Sequence, residues 1–167
     1  IDIQRINFLD GQLQTEIISV RPLELETNTR DRLHLRYTAN TEFITDSFEI
    51  SEGIIIPSGK YSFDESGFNL STGNHRRVHG MLNYRTGEYY GGNRDYLRAT
   101  LTWEPSVHFR TGIIYDFNDV ELPQGDFVVR LVTLQADIVF SSTLSWVNLL
   151  QYDNVSETAG INSRLHW

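Results

Sequence analysis

Apolar and polar residues alternate with period two along most of the chain, which is the pattern of half-buried strands. Six stretches carry it clearly. In Arg32–Ala39, Leu33, Leu35, Tyr37 and Ala39 share one side, against Arg32, His34, Arg36 and Thr38. In Arg77–Arg85, Val78, Gly80, Leu82 and Tyr84 oppose Arg77, His79, Met81, Asn83 and Arg85. Tyr96–Glu104, Val107–Asn118, Val128–Phe140 and Ala159–Trp167 repeat the alternation, with Arg98, Arg110, Asp137 and Arg164 on their polar sides. Four further stretches are less regular. Leu144–Asp153 carries Asn148 on its apolar side, and Tyr61–Leu70 changes parity near Gly67, which predicts a bulge there. Gln12–Leu25 contains Pro22, a mark of an irregular or edge position, and Ile3–Leu9 is strand-like. No segment shows the helical spacing of i, i+3, i+4 and i+7. The pattern predicts an all-β, antiparallel up-and-down meander of about ten strands over residues 1–167, read as one barrel domain or as the C-terminal part of a larger chain.

The links between these stretches alternate in length. Glu104-Pro105-Ser106 and Ser141-Ser142-Thr143 read as tight turns, while Thr86–Asp95, Asp119–Asp126 and Asn154–Thr158 read as longer links. Short turns at one rim and longer loops at the other are typical of outer-membrane barrels. Alternation alone leaves two readings open. In a soluble barrel or sandwich the apolar side faces inward, where it could bind a small ligand or glycan; in a membrane barrel it faces lipid and the polar side lines the lumen. Strand length, with runs of nine to thirteen residues, favours the membrane version. So do aromatic residues near the ends of the apolar stripes, among them Tyr84, Trp103, Phe140, Trp146, Tyr152 and Trp167. On this reading Leu101, Ile113, Leu134 and Ile138 face lipid, and Arg98, Arg110 and Arg164 face inward. Trp167 ends a strand that must pair with Ile3–Leu9 or Gln12–Leu25 if the ring closes.

Composition narrows the classes. The chain has 167 residues, no Cys and a net charge of −8. A disulfide scaffold, a thiolate metal site and a Cys nucleophile are excluded, and the acidic balance argues against nucleic acid. No apolar run is long enough for a transmembrane helix. Ile1-Asp2-Ile3-Gln4 lacks the features of a signal peptide and has no initiator Met, so a processed chain or a fragment is expected. The basic residues are thirteen Arg and one Lys, Lys60. Arg suits confined sites where a planar cation pairs with carboxylates, although base composition of the genome produces the same skew.

A set of ordered motifs adds a resemblance. The run Phe48-Glu49-Ile50, then Gly53-Ile54-Ile55-Ile56-Pro57-Ser58-Gly59-Lys60-Tyr61-Ser62-Phe63, is followed by Arg76-Arg77 and Gly87-Glu88-Tyr89-Tyr90-Gly91-Gly92. After these come Val120-Glu121-Leu122-Pro123-Gln124-Gly125-Asp126-Phe127, Leu150-Gln151-Tyr152-Asp153 and Asn162-Ser163-Arg164-Leu165-His166-Trp167. Over roughly Gly11 to Trp167 the chain resembles the C-terminal barrel domain of bacterial proteins whose N-terminus carries a carbohydrate-binding family-nine-like domain. The resemblance implies an outer-membrane β-barrel of uncharacterised role in a Gram-negative bacterium, with the lipid bilayer and the barrel-assembly machinery as partners. The sugar-binding-like domain is absent here, so no ligand function carries over from it. Members of that family usually continue past the segment resembling Arg164–Trp167 to a final strand.

The chemistry-bearing residues form few constellations. His75 and His79 lie about 13 Å apart along a strand, too far to chelate one ion alone; no metal or cofactor is expected. His34, His108 and His166 alternate with Arg on the polar side. No Ser sits in a nucleophile elbow, and Ser58, Ser66, Ser71, Ser141, Ser142 and Ser156 read as turn residues, so no catalytic residue is assigned and an outer-membrane hydrolase is a second alternative. Asp64-Glu65 and Asp116 with Asp119 read as turn or lumen residues. Gly73-Asn74, Gly91-Gly92 and Gly125-Asp126 are turns without a following helix, and cradle no phosphate. Tyr89 and Tyr90, in a Gly-rich loop, could stack on a glycan or pack that loop onto the rim. The leading candidates are Arg32, Arg36, Arg77, Arg85, Arg98, Arg110 and Arg164, with His108 and His166, as lumen-lining or ligand-contact residues. They would either favour a small anionic or saccharide solute or form ion pairs with Glu104, Asp116 and Asp137 that fill a narrow barrel.

Overall fold

The computed structural model describes all 167 residues and contains strands and turns but no helix. The strands are β1 (Asp2–Asn7), β2 (Leu13–Glu26), β3 (Arg32–Ile44), β4 (Phe48–Ser51), β5 (Ile54–Ile56), β6 (Gly59–Ser71), β7 (Val78–Tyr89), β8 (Gly92–Ser106), β9 (Phe109–Leu122), β10 (Gly125–Val139), β11 (Ser145–Asp153) and β12 (Thr158–His166). Ten of them form one antiparallel sheet in the order β1-β2-β3-β6-β7-β8-β9-β10-β11-β12, a meander in which successive strands are neighbours. The remaining pair, β4–β5, is a hairpin inserted between β3 and β6. β1 pairs only with β2, and β12 only with β11, so the sheet has two free edges instead of a closed ring.

Register assigns every side chain to a face. On one face lie Leu35, Phe68, Tyr84, Leu97 and Phe117, which oppose one another across β3, β6, β7, β8 and β9. Leu101, Ile113 and Leu134 form another row of the same face. Leu101 is 53% exposed, Ile113 40% and Leu134 43%, while Ile138, on the same face, is half-buried. We call this the open face. The other face carries Arg36, Glu65, Arg85, Arg94, Arg98, Asp116 and Asn118, and the β4–β5 hairpin packs against its upper end.

The single layer leaves very little buried. Nine of 167 residues are buried. The accessible surface is 11083 Å², whereas a water-soluble monomer of 19.3 kDa would expose about 8,500 Å². The one apolar cluster consists of Ile54, Ile56, Phe63, Tyr90, Val120 and Leu122. It joins the hairpin to β6, to the β7–β8 turn and to β9, on the polar face at the upper rim.

The strands run further than the alternation predicts. The predicted long links Thr86–Asp95 and Asp119–Asp126 are the ends of β7–β8 and β9–β10, joined by the two-residue turns 90–91 and 123–124. Glu104-Pro105-Ser106 belongs to β8, where the register shifts, and the turn is 107–108. The expected contrast of short and long rims is therefore not present. The lower rim has connections 27–31, 72–77, 107–108 and 140–144; the upper rim has 8–12, the hairpin insert 45–58, 90–91, 123–124 and 154–157. The β7–β8 turn takes positive φ at both of its residues. Tyr90 at φ 47° and Gly91 at φ 85° are both left-handed, as a two-residue turn that matches strand twist requires.

The bulge expected at Gly67 is absent, since β6 keeps register with β3 and β7 throughout its pairing. Its parity changes because its environment changes. Near the lower rim the open face takes Phe68 and Leu70. Near the upper rim it takes Lys60, Ser62 and Asp64, and the apolar residues Tyr61 and Phe63 turn to the hairpin instead. Ser66 and Ser71, read as turn residues, lie within β6. The irregularity at Pro22 is present as a register shift between Val20 and Leu23.

Candidate functional site: the polar face and its hairpin roof

The upper end of the polar face is built from aromatic residues and carboxylates. Tyr90, held by its turn, folds its ring back over the sheet to meet Tyr61 and Phe63, each with ring centres 5.2 Å away, and Phe48 of the hairpin at 5.9 Å. Its hydroxyl donates to the Glu42 carboxylate at 2.5 Å. Burial, reinforced by that hydrogen bond to a carboxylate, pushes the Tyr90 hydroxyl far above the usual tyrosine range. Tyr89 is also raised, by burial, although the Arg94 cation opposes the shift.

Beneath this cluster Arg94 and Glu65 form an ion pair with side chains only 17% and 8% exposed. The Arg94 Nε donates to the Glu65 Oε1 at 3.0 Å, and the guanidinium lies 4.1 Å over the Tyr89 ring. Charge pairing and a ring face together satisfy a cation that would otherwise be costly to bury. Two rungs further, Arg98 meets Asp116 at 3.3 Å, and the Tyr96 hydroxyl, on the rung between, donates to the same carboxylate at 3.3 Å. Arg85 lies 4.4 Å over the Tyr96 ring. Towards the lower rim Arg110 pairs with Glu104 at 3.1 Å and Arg32 with Glu26 at 3.2 Å. Asp137 accepts from Gln135 at 2.9 Å instead of pairing with Arg110, its cross-strand neighbour.

The structure places Arg32, Arg36, Arg85, Arg98, Arg110, Arg164 and His166 on this face, in the strands. Two candidates are corrected. Arg77 lies in the connection before β7, where its carbonyl accepts from the Glu104 amide. His108 lies in the β8–β9 turn, with its Nδ1 2.9 Å from the Val139 carbonyl oxygen; a turn removes both from the strand faces. The glycan-stacking expectation is corrected for Tyr90, which is 8% exposed under the hairpin and has no open ring face. Tyr89 packs edge-on to Phe63 and lies under Arg94.

Sequence reasoning missed the Glu65–Arg94 pair and the Tyr90–Glu42 bond, which need a register to be seen. It also left the β4–β5 hairpin unassigned as structure. The signal for it was the apolar run Gly53–Ile56 followed by Phe63 on the polar side of its strand. Chemically, the face offers cations, carboxylates and aromatic hydroxyls. The His79 and His108 rings meet the backbone carbonyls of Arg76 and Val139, not a serine hydroxyl.

No protein-family model, curated protein or solved structure matches the chain.

Proposed function

We propose that the chain is an outer-membrane β-barrel domain, non-enzymatic, with a structural or solute-passage role and an Arg-rich interior. The observation that carries this reading is the open face: a ten-strand sheet whose large apolar residues from mid-strand to the lower rim stay exposed, while Arg94–Glu65, Arg98–Asp116 and Arg110–Glu104 pair on the opposite, hairpin-bearing face. Water would not tolerate so extended an apolar surface on a monomer, whereas lipid requires it. The zoning of the face supports the reading. Trp103, Trp146 and Trp167 all lie near its lower rim, as interfacial anchors do. On β9 the run 109–117 carries Phe109, Ile113, Tyr115 and Phe117 outward, close to the 9–11 residues of a tilted spanning strand. Above it the same face turns acidic at Glu88, Asp95, Asp119, Glu121 and Asp126, so the strands project beyond the bilayer at the upper rim. Polar intruders within the band satisfy one another: the Trp146 indole donates to Ser163 at 2.8 Å, and Ser163 donates to Asn148 at 2.7 Å.

On this reading the polar face lines the interior and the β4–β5 hairpin roofs its outer mouth. The free edges of β1 and β12 pair with each other or with further strands, since an open edge has unsatisfied amides that lipid cannot solvate. The bilayer and the barrel-assembly machinery are the partners, and the resemblance in motif order points the same way. Extraction tests it. The folded chain should require detergent and migrate faster on gels before heating than after. A chain that stays monodisperse without detergent would instead favour a soluble binding module.

A further inference from the structure

One rung of the polar face is not electrostatically closed. Arg36 of β3, Gly67 of β6, Arg85 of β7, Tyr96 of β8 and Asn118 of β9 oppose one another in register. The rungs above and below pair their arginines, Arg94 with Glu65 and Arg98 with Asp116. Arg36 and Arg85 have no carboxylate partner. The Arg85 Nε is fully enclosed and has no acceptor, and the Asn118 Oδ1 on the same rung is enclosed without a donor. Buried polar groups are nearly always satisfied, so the orphaned Arg85 Nε calls for an explanation; Asn118 does not line the cavity over this rung.

Gly67 shapes the space. A Cβ there would lie 2.1 Å from the Tyr84 carbonyl oxygen and 3.0 Å from the Arg85 Cγ, so only glycine lets the Arg85 stem cross the β6 backbone. The Cα atoms of Arg36 and Arg85 are then separated by two interstrand spacings, about 9.5 Å, a gap that two long side chains can close around a small anion. A cavity of about 290 Å³ lies over this rung, lined by Arg36 and Arg85, by a third arginine, Arg21, and by Ser19, Thr38 and Asn40 among others. Of its two carboxylates, Glu65 is neutralised by Arg94, while Asp2, which accepts from Gln4 at 3.3 Å, keeps its charge against three lining arginines.

Resting on the barrel reading, we infer that this rung binds a sugar acid, with the carboxylate held between Arg36 and Arg85 and the hydroxyls meeting Ser19, Thr38 and Asn40. A planar carboxylate suits the guanidinium fork. The neutral hydroxyl and amide side chains of Ser19, Thr38, Asn40 and Gln4 among the lining arginines suit a polyhydroxylated body better than a bare inorganic anion. The hairpin cluster closes the upper end, so the ligand approaches from the lower rim.

The test is equilibrium binding of galacturonate, galactose and inorganic phosphate at low ionic strength to the purified chain, in detergent or in buffer, whichever holds it folded by circular dichroism. Arg36→Gln, Arg85→Gln and, as a control on the open face, Arg130→Gln are compared. Galacturonate should bind saturably, galactose at least tenfold more weakly. Each of the first two substitutions should weaken galacturonate about tenfold to a hundredfold, the span of a charge-assisted bond, and Arg130→Gln should not. Equal loss with all three, phosphate binding as tightly as galacturonate, or no saturable galacturonate binding would each overturn the inference. Detergent dependence and heat-modifiable migration, recorded on the same samples, judge the barrel reading separately. A site without a barrel and a barrel without a site are therefore distinct results.

Discussion

At the residue scale, the tightest polar contacts sit where side chains leave water. Tyr90 keeps its proton in the folded protein well above its ordinary value of 10.0. Its neutral form is favoured on folding, so the stability it contributes is complete below pH 10 and declines as pH rises above 10, where only the unfolded chain ionises. Tyrosinate difference spectroscopy should show the Tyr90 phenol, lost from the spectrum in Tyr90→Phe, titrating only as the protein unfolds. Tyr90→Phe strands the Glu42 carboxylate and should cost about 1–3 kcal/mol by denaturant unfolding. At the lower rim Asp31 has the opposite sign. Its carboxylate accepts from the Gly73 amide at 3.0 Å and from Arg76 at 2.7 Å, which together hold its pKa below the ordinary 3.8. That clasp is present above pH 3.8 and is lost as pH falls through the depressed value. Exchange of the Gly73 amide should accelerate only in that acid range.

At the element scale, the β4–β5 hairpin is the part whose removal separates roof from sheet. Its Ile54 and Ile56 supply two of the six buried apolar side chains, and Ile56 is 0% exposed. Ile56→Ala should cost about 2–5 kcal/mol if the hairpin and sheet unfold together. If the hairpin opens by itself, the loss appears as faster local exchange at β4 and β5 with the sheet unchanged. Replacing residues 48–56 by a short Gly-Ser linker should keep the strand signal in circular dichroism, because the 98 backbone hydrogen bonds within strands lie almost wholly in the large sheet. It should expose Phe63, Val120 and Leu122 to an apolar dye. Loss of all strand signal would mean that the hairpin nucleates the fold.

At the scale of the whole molecule, the decisive quantity is the area of apolar face with nothing over it. Ile113→Arg places a cation in the middle of the open face. In lipid this should destabilise by about 2–4 kcal/mol and reduce the heat-modifiable fraction after refolding into vesicles. Arg110→Leu, a change on the other face, should leave insertion intact. Were the open face wetted instead, Ile113→Arg would raise solubility and leave stability nearly unchanged.

The alternation by itself determined that the chain is all-β, antiparallel and a meander of about ten strands. It did so because period two is a local property: each side chain points opposite to its neighbours whatever the tertiary partner. It also placed Arg98, Arg110 and Arg164 opposite Leu101, Ile113 and Leu165, and marked Pro22 as irregular. Three things were decided only in three dimensions. The strands extend past their apolar runs, because backbone pairing continues wherever a two-residue turn permits it, polar side chains included. The parity of β6 reverses in meaning without any bulge, because Phe63 is covered by a hairpin contributed by residues 48–56. And the division of the arginines into paired Arg94, Arg98 and Arg110 and unpaired Arg36 and Arg85 depends on register across strands far apart in sequence, which no local pattern encodes.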